Sequence, residues 1–171
     1  MDNKTESTAA ILFKQGLRCF HKPDGIGAVK AFRELIAMDP SYVHTDGDNP
    51  FFYMGKIHEI EGDLEPAITM YTRSLALDQW DEESLIGRGS CYTVLNRHLE
   101  AIADFKRLLR LGHGLRKVAD HMLFYAIAEN HRKQAQWRKA LTWGKKALAD
   151  EPKNQRYVAL VKEATTNIGK T

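Results

Sequence analysis

One histidine lies in a segment whose residue types could bind a metal ion. His58-Glu59 begins like the helical His-Glu-x-x-His motif of zinc proteases, in which two histidines bind zinc and the glutamate acts as the base. The second histidine would fall at position 62, which is glycine, so the zinc ligand set is incomplete. We interpret His58 as a residue that packs or hydrogen-bonds between helices, and we interpret His131 in the same way.

A second group of possible ligands is formed by His44, Asp46 and Asp48. A calcium-binding loop of the EF-hand type needs glycine at its sixth position and glutamate at its twelfth. Counted from either aspartate, the sixth residue is aromatic, Phe51 or Tyr53. We therefore predict a solvated insertion with turn-forming acids and no metal site.

Other chemistry-bearing patterns are also incomplete. Gly87-Arg88-Gly89 lies within a helical pattern and follows no strand, so it does not resemble a phosphate-binding loop, and no nucleophile-elbow, Walker or kinase sequence occurs. Cys19 and Cys91 are too few and too far apart for a disulfide framework or a zinc site, and we expect both to be small core residues. The sequence predicts a protein that is not an enzyme and uses no cofactor.

The charge distribution leaves a nucleic-acid alternative open. Residues 1–100 carry 10 Lys/Arg and 16 Asp/Glu, whereas residues 101–171 carry 15 and 6. Within residues 131–146, six Lys/Arg interleave with Trp137 and Trp143, a mixture that can follow a nucleic-acid backbone. We favour a solvated face of two helices. Trp137 is expected in the core, and Trp143 either packs under a C-terminal helix, which we favour, or is exposed for a partner.

The elements that carry these residues follow from a pattern that recurs four times. A small residue is followed twelve positions later by alanine, and an aromatic residue stands four positions after the alanine in three of the four copies. Spacings of four and eight place side chains on one helix face, and the small residues allow two helices to approach closely. The sequence thus predicts all-α helical hairpins. The copies are Gly16/Ala28/Phe32, Gly55/Ala67/Tyr71, Gly89/Ala101/Phe105 and Ala128/Ala140/Gly144.

This pattern resembles the tetratricopeptide repeat (TPR), most clearly in the second copy, from Met54-Gly55 through Gly62-Asp63-Leu64-Glu65-Pro66-Ala67-Ile68 to Tyr71. The alanines are separated by 39, 34 and 39 residues, so the two longer repeats contain insertions, placed at Tyr42–Asp48 and Gly112–Lys117. The resemblance implies a right-handed superhelical solenoid of about four hairpins in a single TPR domain, residues 1–171. An apolar stripe predicts a C-terminal capping helix over residues 155–168. The predicted repeats span residues 9–40, 48–79, 82–113 and 121–152.

The resemblance also implies a site, because in TPR proteins the first helix of each hairpin lines a concave groove that holds an extended peptide or a helix. The subclass that clamps the C-terminal carboxylate of heat-shock chaperones is rejected, because its Lys, Asn and Arg positions hold other residue types here. Carried over residue by residue, the predicted groove consists of Phe13, Leu17, Phe20, Phe52, Lys56, Glu59, Ile86, Ser90, Thr93, Tyr125, Glu129 and Arg132.

The sequence therefore predicts a non-catalytic protein–protein interaction module, acting as an adaptor, co-chaperone or assembly factor. Two alternatives remain: a nucleic-acid-binding solenoid that uses the basic C-terminal half, and a self-assembling scaffold in which the apolar first repeat pairs with its counterpart in a homo-oligomer. The polar N-terminus lacks the features of a secretory signal, and no apolar stretch reaches the roughly 20 residues that span a bilayer. We expect a cytoplasmic location without membrane insertion.

Overall fold

The computed structural model describes residues 7–22, 24–112 and 115–170, and the regular secondary structure in these ranges is entirely α-helical. The all-α prediction is confirmed. None of the helices in these ranges has the length and apolar character needed to cross a membrane. The elements are α1 (Thr8–His21), α2 (Gly25–Met38), α3 (Pro50–Glu61), α4 (Leu64–Leu77), α5 (Glu82–Val94), α6 (His98–Arg110), α7 (Asp120–Lys133), α8 (Trp137–Asp150) and α9 (Gln155–Ile168).

Short polar side chains cap several of these helices. The Asp24 carboxylate accepts a hydrogen bond from the Gly27 amide (2.9 Å), and the Asn49 side chain accepts one from the Phe52 amide (3.1 Å). Each cap satisfies a backbone donor that the first helical turn leaves without a partner. Gly62 ends α3 with a positive φ of 85°, a conformation that costs glycine little. The tight turn between α3 and α4 is thus encoded locally.

The helices form two compact units, residues 1–87 and residues 88–171, with the boundary inside α5. The single domain over residues 1–171 and its repeat boundaries stay predictions. The longer connections, residues 39–49 and 111–119, contain the segments Tyr42–Asp48 and Gly112–Lys117; His113 and Gly114 of the second segment lie outside the described residues.

The core of the first unit forms where the recurring small residues meet the recurring aromatic rings. Phe32 and Tyr71 are fully buried, as are Ala28 and Ala67. A Cβ atom built on Gly16 would lie 2.4 Å from the Phe32 ring, far inside the roughly 3.5 Å at which carbon atoms pack. The absence of a side chain at this glycine is therefore what lets α2 pack so closely on α1.

The second unit repeats this arrangement and ends on the predicted capping helix. Ala101, Ala128 and Ala140 have no exposed surface. A Cβ atom on Gly144 of α8 would lie 2.5 Å from Leu160 of α9, and Leu160 is 2% exposed. Helix α9 therefore covers α8, the role that a terminal helix has in a repeat array.

The two cysteines differ in their surroundings. Cys91 is 1% exposed, as expected for a core residue. Cys19 is only partly buried and packs against the buried cluster of the first unit, so its core prediction holds in part. It lies near the end of α1, and a Cβ atom on Gly27 would lie 3.0 Å from its sulfur.

Candidate partner-binding surfaces

In the first unit, several predicted groove residues form a partly exposed aromatic strip on the first helices. Phe20 and Phe52 are both partly exposed, and each packs edge-on against Tyr53, with ring centroids 5.3 Å and 5.0 Å from it. Leu17 of α1 and Ile86 of α5 are also partly exposed. These side chains expose apolar surface to a partner while they stay packed against their neighbours in the unit.

Phe13 does not belong to this strip, so the prediction that it lines the groove is wrong. Its side chain has no exposed surface. The ring packs against Phe32 at 6.0 Å, and two rings of the inserted segment cover it, Tyr42 at 5.4 Å and His44 at 5.0 Å. The insertion between the first two hairpins therefore folds onto the position that the TPR pattern assigns to the groove.

Tyr53 is a residue of this surface that sequence reasoning missed. It contacts the rings of Phe20, Phe32 and Phe52, and its hydroxyl donates a 2.5 Å hydrogen bond to Asp48. Burial, followed by this bond to the carboxylate, raises the pKa of Tyr53 well above its ordinary value. The repeat alone does not mark Tyr53, because its acceptor comes from the insertion.

The polar part of the first unit is held in a fixed arrangement. The Glu59 carboxylate accepts hydrogen bonds from the Tyr71 hydroxyl (2.6 Å) and the Lys56 ammonium (3.2 Å). The Lys56 side chain is 43% exposed and Glu59 is 26% exposed. Because Glu59 accepts bonds from two donors, its orientation is fixed. Of the two charged side chains, Lys56 is the one that a ligand can reach more easily.

The second unit carries a more polar set of predicted residues. The Glu129 carboxylate accepts bonds from the Tyr125 hydroxyl (3.0 Å) and the Arg132 guanidinium (2.9 Å). Burial and then the bond to Glu129 raise the pKa of Tyr125 to about 12, so the phenol is neutral at physiological pH. The bond to Glu129 also raises the pKa of Arg132. Together these groups present hydrogen-bonding atoms suited to a peptide backbone or polar side chains.

Thr93 and Ser90, the remaining predicted groove residues, lie on α5 and are partly exposed. The Thr93 hydroxyl donates to the Gly89 carbonyl (2.9 Å) and accepts a bond from the Asn130 side chain (3.0 Å). Asn130 is 1% exposed, so Thr93 belongs partly to a buried polar network. Its contribution to ligand contact is therefore smaller than the sequence pattern indicates.

Two groups of possible metal ligands lie in the first unit. Ligand atoms of His58, Glu61 and Asp63 lie within 4.8 Å of one another, but both acids are exposed. In the insertion, His44 bonds to Asp46 at 2.7 Å and stacks on Phe13, so its ring is part of the packing of that loop. These contacts agree with a structural role for His44.

The basic stretch of the second unit also contains structural residues. His131 is 5% exposed, and its Nδ1 lies 3.0 Å from the Gln136 side-chain oxygen. This agrees with the predicted packing role. Trp137 is partly buried.

The sequence favoured packing of Trp143 under the C-terminal helix α9, but the ring packs against α7. Its ring lies 5.7 Å from that of Phe124 in α7, with the Lys146 ammonium 4.4 Å from its centre. Its neighbour Gly144 is the residue that α9 covers. Adjacent residues of a helix point in different directions, so the preferred packing of Trp143 under α9 is wrong.

Comparison with known proteins identifies the fold. No protein-family model matches the sequence, and no curated protein matches it. Solved structures do match: MamA superposes with a TM-score of 0.80 at 20% identity, over 95% of this chain and 83% of MamA. YrrB, a TPR protein with an unusual peptide-binding site, superposes with a TM-score of 0.63 at 22% identity, over 82% of this chain and 67% of YrrB. The first TPR domain of Spaghetti (RPAP3), bound to an HSP90 peptide, superposes with a TM-score of 0.60 at 16% identity, over 70% of this chain and 90% of the RPAP3 domain.

These likenesses, together with the helical hairpins described above, show that the chain has the tetratricopeptide-repeat fold. The resemblance inferred from the recurring small, alanine and aromatic residues is confirmed at the level of the fold.

Proposed function

We propose that this protein is a non-catalytic interaction module whose first helices bind a peptide or helical segment of another protein. The aromatic strip of Phe20, Tyr53 and Phe52 is the observation that carries the proposal, since partly exposed aromatic residues are frequent anchors of protein interfaces. Two structures of the same fold, YrrB and RPAP3, are described as peptide-binding or peptide-bound, which supports the same class of ligand.

Each of the two units carries its own set of proposed contact residues. In the first unit, Phe20, Phe52 and Ile86 offer apolar contacts, with Lys56 beside them. In the second unit, Tyr125, Glu129 and Arg132 offer hydrogen bonds. The biological role within this proposal is that of an adaptor, co-chaperone or assembly factor in the cytoplasm.

A peptide selection tests the proposal without knowledge of the natural partner. Random peptides displayed on phage are selected against the immobilised full chain, and the affinity of enriched peptides is measured by fluorescence anisotropy. Phe52→Ala should weaken binding by about 2 kcal/mol, roughly 30-fold, as loss of an aromatic anchor often does.

Ile26→Ala is the matched control, because Ile26 is 88% exposed on the second helix α2 and also loses a large apolar side chain. It should bind enriched peptides like the unsubstituted chain. Both variants are checked for an unchanged thermal melt. Equal affinity of the folded Phe52→Ala variant and the control would contradict the proposed site.

A further inference from the structure

A second surface lies on the second helices α6 and α8, separate from the residues proposed above. It is defined by Trp143 and three cations, Lys106, Arg110 and Lys146, and we refer to it as the Trp143 surface. The Lys106 and Lys146 ammonium groups lie 5.7 Å and 4.4 Å from the centre of the Trp143 ring. A cavity of about 450 Å³ opens between α6 and Trp143 and is also lined by Ala103 and Leu109.

Within the described parts of the chain, none of Lys106, Arg110 and Lys146 forms an ion pair with an acidic side chain, whereas Arg88 and Arg132 do so. Like charges that share a surface without a counterion raise the local potential and favour an anionic ligand.

We propose that the Trp143 surface binds an acidic segment of a partner protein, with carboxylates on Lys106, Arg110 and Lys146 and an apolar side chain in the cavity beside Trp143. Charge complementarity selects the acidic residues. The apolar lining by Ala103, Leu109 and Trp143 selects a segment that also contains a hydrophobic side chain. An interface that combines an aromatic centre with charged groups around it is the usual arrangement of a protein-binding site.

The geometry favours a peptide over nucleic acid. Binding of single strands relies on aromatic rings whose faces are open for base stacking. The Trp143 ring is packed on Phe124 at 5.7 Å and has two ammonium groups close to it. Carboxylates can reach these cations without stacking on the ring, whereas a base needs the surface that Phe124 and Lys146 already occupy.

The test compares two labelled probes on the full chain by fluorescence anisotropy. One probe is a 12-residue Asp/Glu-rich peptide that contains a single leucine, and the other is a 12-nucleotide oligothymidylate. We expect the peptide to bind and the double variant Lys106→Gln, Lys146→Gln to weaken it by about tenfold, because two charge-assisted contacts are lost. Replacing the peptide's leucine with serine should weaken binding further, since the cavity contact is lost.

The matched control is the double variant Lys153→Gln, Lys162→Gln. It removes the same charge from exposed positions of the second unit, in the loop before α9 and on α9 itself, and it should bind the peptide like the unsubstituted chain. Equal weakening in both double variants would overturn the proposal, because binding would then follow net charge alone. Tighter binding of oligothymidylate than of the peptide, lost in the Lys106/Lys146 variant, would assign the surface to nucleic acid instead. Binding of neither probe would also overturn it.

Discussion

The substitution Gly16→Ala tests the packing that underlies each hairpin. The added methyl group would lie 2.4 Å from one carbon of the Phe32 ring and 2.7 Å from two others. Carbon atoms pack at about 3.5 Å, so the ring would have to move by about 1 Å. Phe32 has no exposed surface and is held between Phe13 at 6.0 Å and Tyr53 at 5.6 Å, so there is little room for that movement.

The magnitude follows from two opposing effects. Alanine in a helix interior is favoured over glycine by about 1 kcal/mol, and overpacking a filled core costs about 1–3 kcal/mol. We expect Gly16→Ala to lower the free energy of unfolding by about 0–2 kcal/mol, measured by urea denaturation followed by circular dichroism.

Gly25→Ala is the matched control for this measurement. Gly25 is the first residue of α2, and a Cβ atom there would meet its nearest neighbour, the Glu61 carboxylate, at 3.8 Å, an ordinary contact. The control should therefore be neutral or slightly stabilising. If Gly16→Ala proves as stable as the control, close helix approach at this glycine is not what the fold requires.

Three further predictions use other parts of the chain. Ala101→Leu should cost about 1–3 kcal/mol of stability, because Ala101 is fully buried; an unchanged melting temperature would contradict the helix contact assigned to it. Deletion of residues 154–171 should expose α8 and produce aggregation or loss of cooperative unfolding, and a monomeric truncation of equal stability would contradict the capping role of α9. The Tyr125 phenol should ionise near pH 12, seen as the difference in 295 nm absorbance between the unsubstituted chain and Tyr125→Phe. Because its folded pKa is raised, its contribution to stability is complete below the unfolded value of about 10 and is lost as pH rises towards 12; ionisation near pH 10 would contradict the burial of this phenol and its bond to Glu129.

The fold could be predicted from sequence because its contacts recur. Gly16 and Phe32 are in contact as the repeat implies, and so are Gly55 and Tyr71. A periodic pattern repeated four times reports contacts between neighbouring helices, which are local in the chain. The capping helix was also predictable, because its single apolar stripe, which includes Leu160 and Ala164, is buried only if the helix packs on one neighbouring surface.

Details of the candidate sites depend on residues outside the pattern. Phe13 occupies a groove position of the repeat, but Tyr42 and His44 of the insertion cover it, and no periodicity describes how an insertion folds. Tyr53 was missed for the same reason, since Asp48 of that insertion fixes its hydroxyl. For Trp143, the sequence left two directions open, and the contact with Phe124 depends on how α8 is rotated against α7.

The most direct test of the account is to locate a bound peptide on the first helices. A photoreactive phenylalanine analogue is placed singly at Phe20 or Phe52, and at the exposed second-helix positions Lys30 and Thr69 as controls. Each protein is then irradiated with a peptide selected against the unsubstituted chain. We expect strong cross-linking from positions 20 and 52 and little from positions 30 and 69. Equal or stronger cross-linking from positions 30 and 69 would contradict the claim that the first helices bind the partner.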